Sequence, residues 1–139
     1  MDIINDFRGE YRWLSNFADG NVTMSDGLTY FSRENAFQAY KCENIKDRNQ
    51  FIDISPAYAK NFGRRIKLRK DWEQIKDGIM YEVCSQYFKQ HPDMMLKLKE
   101  TGSCELVEGN TWGDTYWGVC NGVGENNLGK ILMAIRSEN

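Results

Sequence analysis

The sequence contains few of the residues on which metal enzymes and thiol or histidine enzymes depend. Its 139 residues include a single histidine, His91, which precedes Pro92 and is interpreted as a turn or helix-start residue. The cysteines form no CxxC pair and indicate neither a zinc site nor a disulfide framework; they are Cys42, Cys84, Cys104 and Cys120. We therefore expect free thiols in a reducing compartment, no metal and no cofactor. Any chemistry must use carboxylates, aromatic rings and amides.

The sequence also lacks long apolar runs and a large excess of one charge. No run approaches the roughly 18 apolar residues of a membrane span, and the N-terminus lacks the pattern of a signal peptide. The net charge of −2 argues against a protein that coats nucleic acid, although it allows a local basic site. The length is typical of one domain. We expect a cytoplasmic protein with no membrane partner and a single domain over residues 1–139.

Local patterns predict a helix-dominated α+β fold with a few short strands. An irregular opening segment, Ile3 to Phe17, is expected to hold a strand and a loop. Capping residues and apolar spacing then predict the remaining elements. These are a hairpin around Ser25-Asp26-Gly27, a helix capped by Ser32 and ending near Glu43, a helix from Ser55-Pro56 to Gly63, a long helix from Trp72 to Gln90, a helix from Pro92 to near Gly102, a strand over Cys104–Val107, a loop from Glu108 to Gly124, and a helix from Asn126 to Arg136.

The helix that follows Ser32 carries one polar stripe on an otherwise apolar surface. Glu34, Gln38 and Lys41 stand at positions i, i+4 and i+7 and share one helix face. Spacing alone allows two interpretations. The stripe either faces water, or it places a carboxylate at a buried edge, oriented by an amide and balanced by an ammonium. A first-turn position favours the ionised carboxylate.

The segment from Glu108 to Gly118 concentrates aromatic and acidic residues among glycines. Trp112, Tyr116 and Trp117 flank Asp114 within it. Large rings are well suited to stacking on a flat heterocycle. The alternative is that both indoles fill the core beneath the loop, and this alternative is stronger for Trp112 than for Trp117.

A third element is a basic run just before Trp72. It consists of Lys60, Arg64, Arg65, Lys67, Arg69 and Lys70. Such a run is either a solvated face or a source of one or two cations that hold phosphate, since arginine matches phosphate oxygens.

Together these elements suit cleavage of a C1′–N glycosidic bond. The oxocarbenium-like transition state requires a carboxylate near the sugar and a grip on the departing base. It requires no histidine, thiol or metal.

Five motifs, in order from about Phe7 to Arg136, resemble the NADAR (YbiA-like) family. The motifs are Phe7-Arg8-Gly9-Glu10-Tyr11 with Leu14-Ser15-Asn16-Phe17; Ser32 through Lys41; Ala59-Lys60 and Gly63-Arg64 leading to Asp71-Trp72; Leu106-Val107-Glu108 through Gly118; and Asn127-Leu128-Gly129 with Leu132-Met133 and Arg136. The resemblance implies an N-glycosidase. Family members act on phosphorylated riboflavin-pathway intermediates or on ADP-ribose attached to guanine bases.

The resemblance also implies roles for particular residues. The family's catalytic glutamate falls on Glu34, and its late acid falls on Asp114. The implied substrate-binding residues are Trp72, Trp117, Lys41, Asn16, Arg64 and Gln38. Gly63, next to Arg64, also matches a family position that is implied to shape the pocket. The implied partner is a small nucleotide or ADP-ribose-type substrate, with ADP-ribosylated nucleic acid as a further possibility.

Two departures from the family pattern affect this expectation. Asn35 stands where many members have a histidine, and Val119 stands where some have an acid. Two rival functions stay open at this point: a non-catalytic module that binds ADP-ribose or NAD derivatives, and a nucleic-acid-binding domain that uses the basic run.

Overall fold

A computed structural model describes residues 2–139, which form two compact units. The terminal unit combines residues 2–15 with His91–Asn139, and the central unit is the continuous stretch Asn16–Gln90. Helices dominate and the strands are short, so the predicted helix-rich α+β class is confirmed. Within the described residues no helix is both long enough and apolar enough to cross a membrane.

Six α-helices and six two-residue strands are assigned within residues 2–139. The helices are α1 Arg33–Ala39, α2 Ile45–Arg48, α3 Pro56–Gly63, α4 Trp72–Gln90, α5 Pro92–Glu100 and α6 Asn127–Glu138. The strands are β1 Ile3–Ile4, β2 Val22–Thr23, β3 Thr29–Tyr30, β4 Glu105–Leu106, β5 Gly109–Asn110 and β6 Val119–Cys120. Two 3-10 helices cover Gly9–Leu14 and Asn49–Phe51.

The central unit is built around α1. All seven residues of α1 are buried, and the helix packs on α3 and α4. Even Arg33 is fully buried, with its guanidinium 4.0 Å from the centre of the Tyr87 ring. Desolvation by burial lowers the pKa of this arginine. A short helix that is enclosed on every face holds its side chains in fixed positions, which is a requirement of a precise site.

The terminal unit joins the two ends of the chain. Strands β1 and β4 pair in parallel, with Ile4 opposite Leu106, and β5 pairs in parallel with β6. Helix α6 packs on β4, and the buried side chain of Asn126 fixes its start. The Asn126 amide donates to the Leu106 carbonyl (2.9 Å) and its carbonyl oxygen accepts from the Glu108 amide (3.0 Å). Asn126 therefore connects the end of β4 to the loop that follows.

Most of the predicted elements are confirmed. Ser32 and Ser55 cap α1 and α3 as expected, and α4 has the predicted bounds. The hairpin of β2 and β3 is present, and His91 stands at the start of α5. The four cysteines are free thiols.

Two local predictions are wrong, and one helix was not predicted. Helix α1 ends at Ala39 rather than near Glu43. Arg69, distant in sequence, donates from its side chain to the Tyr40 carbonyl and from its backbone to the Lys41 carbonyl, which draws these groups out of the helical pattern. The stretch from Glu108 to Gly124 contains β5 and β6 rather than loop alone. Helix α2 was not predicted, because four residues are too few to show a period.

Candidate active site

The first predicted carboxylate, Glu34, is buried in the first turn of α1. The Ser32 hydroxyl accepts a hydrogen bond from the Asn35 amide (3.2 Å), which fixes the start of the helix. The Glu34 amide donates to the Asn16 carbonyl (3.0 Å), and the Glu34 residue is only 7% exposed. The water-facing interpretation of the polar stripe is therefore wrong, and the buried-edge interpretation is confirmed for Glu34 and Gln38.

Gln38 provides the side-chain partner of Glu34. One turn further along α1, its Nε2 donates to Glu34 Oε2 at 2.7 Å. An amide donor stabilises a carboxylate in its charged form and restricts its rotation. The pair thus presents an oriented carboxylate in a site shielded from bulk water.

The pKa of Lys41 is set by its burial and by the charges of Glu34, Arg64 and Lys60. Burial lowers the pKa of the half-buried Lys41 below its ordinary value of 10.5. The Glu34 carboxylate raises this pKa, whereas the Arg64 and Lys60 cations lower it further. Arg64 is exposed at the end of α3, and Lys60 lies over the ring of Phe17, 5.6 Å from its centroid. Lys41, Arg64 and Lys60 thus form a cation cluster in which Lys41 interacts with the Glu34 carboxylate.

Asn16 and Trp72 are both buried within the central unit. The Asn16 Nδ2 donates to Met80 Sδ (3.2 Å), and its Oδ1 accepts from Cys84 Sγ (3.8 Å). Trp72 is 5% exposed, and its ring lies 5.1 Å from that of Phe37. The Trp72 ring packs against α1, whereas the Asn16 side chain binds α4 and only its backbone carbonyl binds α1. The substrate-binding roles implied for them stay predictions.

Asn35 stands at the position where the family resemblance implies a histidine in many members. Its side chain is fully buried, and its Nδ2 donates to the carbonyls of Phe51 (2.8 Å) and Ile54 (2.7 Å). The amide therefore anchors α1 to the segment before α3. In this chain the position serves packing and hydrogen bonding.

The second predicted carboxylate, Asp114, lies in the loop between β5 and β6 of the terminal unit. Its Oδ1 accepts hydrogen bonds from the backbone amides of Tyr116 (3.1 Å) and Trp117 (2.9 Å). The Asn110 side chain binds both backbone groups of Asp114. Its Oδ1 accepts from the Asp114 amide (3.0 Å), and its Nδ2 donates to the Asp114 carbonyl (2.8 Å). The carboxylate is thus a structural element of its own loop.

The aromatic residues of this loop differ in exposure. Trp117 is half-buried, and its ring meets the Tyr116 ring edge to face with centroids 4.8 Å apart. Trp112 is 59% exposed, so the interpretation in which it fills the core is wrong. Trp117 combines an ordered backbone with a partly accessible ring. This combination suits a stacking surface.

Six of the eight predicted site residues belong to the central unit: Asn16, Glu34, Gln38, Lys41, Arg64 and Trp72. The other two, Asp114 and Trp117, belong to the terminal unit. The resemblance counted Gly63, with Arg64, among the positions that shape the pocket, and Phe17 was named only as a motif member. Gly63 lies against the predicted site residue Gln38, and Phe17 lies against Lys60 of the basic run.

The rest of the basic run is mainly surface and support. Arg65, Lys67 and Lys70 are exposed. Arg69 forms a two-pronged ion pair with Asp71, at 2.7 and 3.2 Å. A search of residues 2–139 finds no group of three or more histidine, cysteine or acidic side chains placed to hold a metal ion.

Comparison with known proteins identifies relatives along nearly the full chain. A family model described as the NADAR domain matches residues 5–138. The N-glycosidase YbiA of Shigella sonnei is 38% identical over 133 residues, which cover 93% of this chain and 82% of that protein. The N-glycosidase Npun_R5314 of Nostoc punctiforme is 36% identical over 136 residues, covering 92% and 85%. The NMR structure of the Escherichia coli protein YbiA is 36% identical, with a TM-score of 0.86 over 99% of this chain and 84% of that one.

Proposed function

Because this chain belongs to the NADAR family and is an N-glycosyl hydrolase, we propose that it cleaves the C1′–N bond of a phosphorylated ribosyl compound. The substrate is either an ADP-ribosylated base, such as ADP-ribosyl-guanine, or a phosphorylated intermediate of the riboflavin pathway. One observation carries the proposal. The Lys41 ammonium interacts with the buried carboxylate of Glu34, which raises its pKa, and with the cations of Arg64 and Lys60, which lower it.

Glu34 is assigned the central catalytic role. Loss of the base leaves a ribosyl cation at C1′, and a nearby carboxylate stabilises that charge or orients the water that attacks it. The water oxygen bonds to C1′ as the C1′–N bond breaks. One proton of the water stays on the new hydroxyl group, and the other is transferred to the released base. Water and substrate are the only reactants, so the reaction needs no cofactor.

The three cations are assigned to the phosphate of the substrate. Arg64 and Lys60 both lower the pKa of Lys41, and a bound phosphate would offset this repulsion between like charges. Arg64 presents a planar fork that matches phosphate oxygens, and Lys41 presents a compact charge. A phosphate held there would place the attached ribose next to Glu34.

The remaining residues are proposed to hold the sugar and the base. In the terminal unit, Asp114 is proposed to bind ribose hydroxyls or to share the acid–base role, and Trp117 is proposed to stack on a ring. In the central unit, Trp72 is proposed to contact the base or the ribose. Asn16 and Gln38 complete the pocket wall. We propose a cytoplasmic location, since the four free thiols suit a reducing compartment.

A substrate panel tests this function. The protein is mixed with ADP-ribosylated guanosine and, separately, with phosphoribosyl aminopyrimidine intermediates, and the products are identified by mass spectrometry. We expect the wild-type protein to release a free base together with the matching sugar phosphate from at least one substrate, and Glu34→Gln to release neither. Binding of the panel compounds without any release would contradict the proposal and identify a non-catalytic binding module.

The panel also tests for a nucleic-acid partner, which the exposed cations of the basic run would favour. The same ADP-ribosylated guanine is presented in an oligonucleotide and as a nucleoside. A preference for the oligonucleotide that falls steeply as salt rises would identify contacts with the phosphate backbone. Equal, salt-insensitive rates would identify the small molecule as the whole substrate.

A further inference from the structure

Gln38 is enclosed between the carboxylate of Glu34 and the backbone of Gly63. We propose that Gln38 is the positioning residue for Glu34, and that Gly63 is glycine because any side chain there would push Gln38 out of place. This inference rests on the catalytic role proposed for Glu34 and names the residues that orient it.

The first support is steric. Gly63 is the last residue of α3 and is buried against Gln38. A methyl group added to Gly63 would overlap Gln38 Oε1 and would lie 2.9 Å from Gln38 Cδ and 3.4 Å from its Cβ. Both overlapping atoms belong to the terminal amide of Gln38, so an added methyl group would displace the amide that binds Glu34.

The second support is conformational. Glycine is often required where the backbone adopts a positive φ. The residues with positive φ are Gly9, Gly20, Gly27, Gly102, Gly113, Asn121, Gly122, Gly124 and Asn126, and Gly63 is not among them. Its backbone accepts alanine without strain. The requirement for glycine at position 63 therefore comes from the space that Gln38 occupies.

The third support is the hydrogen bonding of the two ends of the Gln38 amide. Nε2 donates to Glu34 Oε2, whereas Oε1 is buried and accepts no conventional hydrogen bond from residues 2–139. Oε1 instead faces the Cα–H of Gly63, which is a weak donor. A reversed amide would place Oε1 against the Glu34 carboxylate, and two acceptors would then repel one another. The charge of the Glu34 carboxylate therefore determines the orientation of the Gln38 amide, and the absence of a side chain at Gly63 provides the space for it.

The consequence is an ordered chain of contacts from Gly63 through Gln38 to Glu34. A side chain at position 63 would act on turnover although it touches no substrate. Misplacement of a reacting group by about 1 Å can lower the rate about 100-fold. Small changes in the packing between α1 and α3 thus reach the carboxylate directly.

A double-mutant cycle tests the proposal, with Gly63→Ala, Gln38→Ala and the combined variant measured on a substrate found with the panel. We expect each single substitution to lower kcat by about 10- to 100-fold with KM changed less than about threefold. We expect the combined variant to be no slower than Gln38→Ala alone, because alanine at position 38 leaves room for a methyl group at position 63. Residues that act as a unit show this lack of additivity.

Gly78→Ala is the matched control. Gly78 lies on the exposed side of α4, and an added methyl group there meets no atom within 4 Å. This variant should keep wild-type kcat.

Gln38→Met provides a second test, which can be made even if Gly63→Ala does not fold. Methionine keeps the length of the side chain but has no N–H donor. The variant should lower kcat and move the acidic limb of the pH–rate profile to higher pH, since the charged carboxylate has lost a donor. A merely structural residue would leave that limb in place.

The results would distinguish a failure of the positioning role of Gln38 and Gly63 from a failure of the proposed function. Multiplicative losses in the combined variant, or wild-type kcat in Gly63→Ala, would overturn the positioning role. Full activity in folded Gln38→Met would also overturn it, whether or not Gly63→Ala folds. If Glu34→Gln itself kept full activity, the proposed function would fail, and the positioning role with it. An inactive Glu34→Gln beside fully active Gln38 and Gly63 variants would reject the positioning role alone.

Discussion

The carboxylates of Glu34 and Asp114 are held in contrasting ways. Glu34 lies on a helix that is buried on every face, and its side chain accepts a hydrogen bond from the Gln38 side chain. Asp114 lies in a half-exposed loop, and its side chain accepts hydrogen bonds from the backbone amides of Tyr116 and Trp117. The Glu34 carboxylate binds a side chain of its own helix, whereas the Asp114 carboxylate binds two backbone amides of its loop. Chemistry and folding should therefore be separable at Glu34 and coupled at Asp114.

The strongest test of this contrast is the substitution Glu34→Gln. We expect kcat to fall by about 100- to 10,000-fold, the usual range for loss of a general acid or base. We expect the thermal midpoint to stay close to that of wild type, because an amide of the same size keeps the packing of α1. Steady-state kinetics and thermal denaturation measure the two effects.

The control for this substitution is Glu43→Gln, which changes an exposed glutamate just beyond α1. It should leave both kinetics and stability unchanged. Wild-type turnover in Glu34→Gln would remove Glu34 from the catalytic role, and a large loss of stability would show that its charge belongs to the fold.

A second test sharpens the contrast by changing the charge next to Glu34. We expect Lys41→Met to raise KM by about 10- to 100-fold, the effect of losing one hydrogen bond to a charged group. The wild-type kcat/KM should fall as pH rises through the pKa of Lys41, which burial places below 10.5. The ammonium exists below that pKa and the neutral amine above it, and only the ammonium attracts phosphate. The variant should lack this alkaline limb.

The matched control for Lys41 is Lys46→Met, at an exposed position on α2. This variant should keep the wild-type KM and its alkaline limb. An unchanged KM in Lys41→Met on a phosphorylated substrate would show that Lys41 does not bind phosphate.

The third test separates the charge of Asp114 from its role in the loop. Asparagine keeps an oxygen that accepts from the two backbone amides, and alanine does not. We expect Asp114→Ala to lower the free energy of unfolding by about 1–2 kcal/mol, as loss of a helix-capping side chain does. We expect Asp114→Asn to keep nearly all of that stability and to lose activity if the charge contacts the ribose. Urea denaturation of both variants measures the difference, and equal stability of the two would refute the structural role.

Much of the central unit could be predicted because its signals are local. Ser32 and Ser55-Pro56 are capping sequences that act within one helical turn, and both helices begin where expected. The end of α1 could not be predicted in this way. It is decided by Arg69, which binds the carbonyls of Tyr40 and Lys41 from almost thirty residues away.

The sequence predicted which residues belong to the candidate site, but it could not predict whether their side chains are buried or exposed. The spacing of Glu34, Gln38 and Lys41 placed them on one face, but it could not decide whether that face met water. The answer depends on α3 and α4, which cover α1 on sides that a single helix pattern cannot reveal. The place of Gly63 next to Gln38 is likewise a tertiary contact, and the sequence marks it only by the absence of a side chain.

The enclosure of α1 has a consequence for motions of the native protein. Local opening occurs in segments with few buried contacts. Helix α1 is not such a segment, because each of its residues is buried. Its backbone amides should exchange with solvent deuterium only when the whole central unit unfolds. The proposed catalytic carboxylate therefore keeps its geometry for as long as that unit persists, and inactivation on heating should follow its cooperative melting rather than an earlier fraying of the helix.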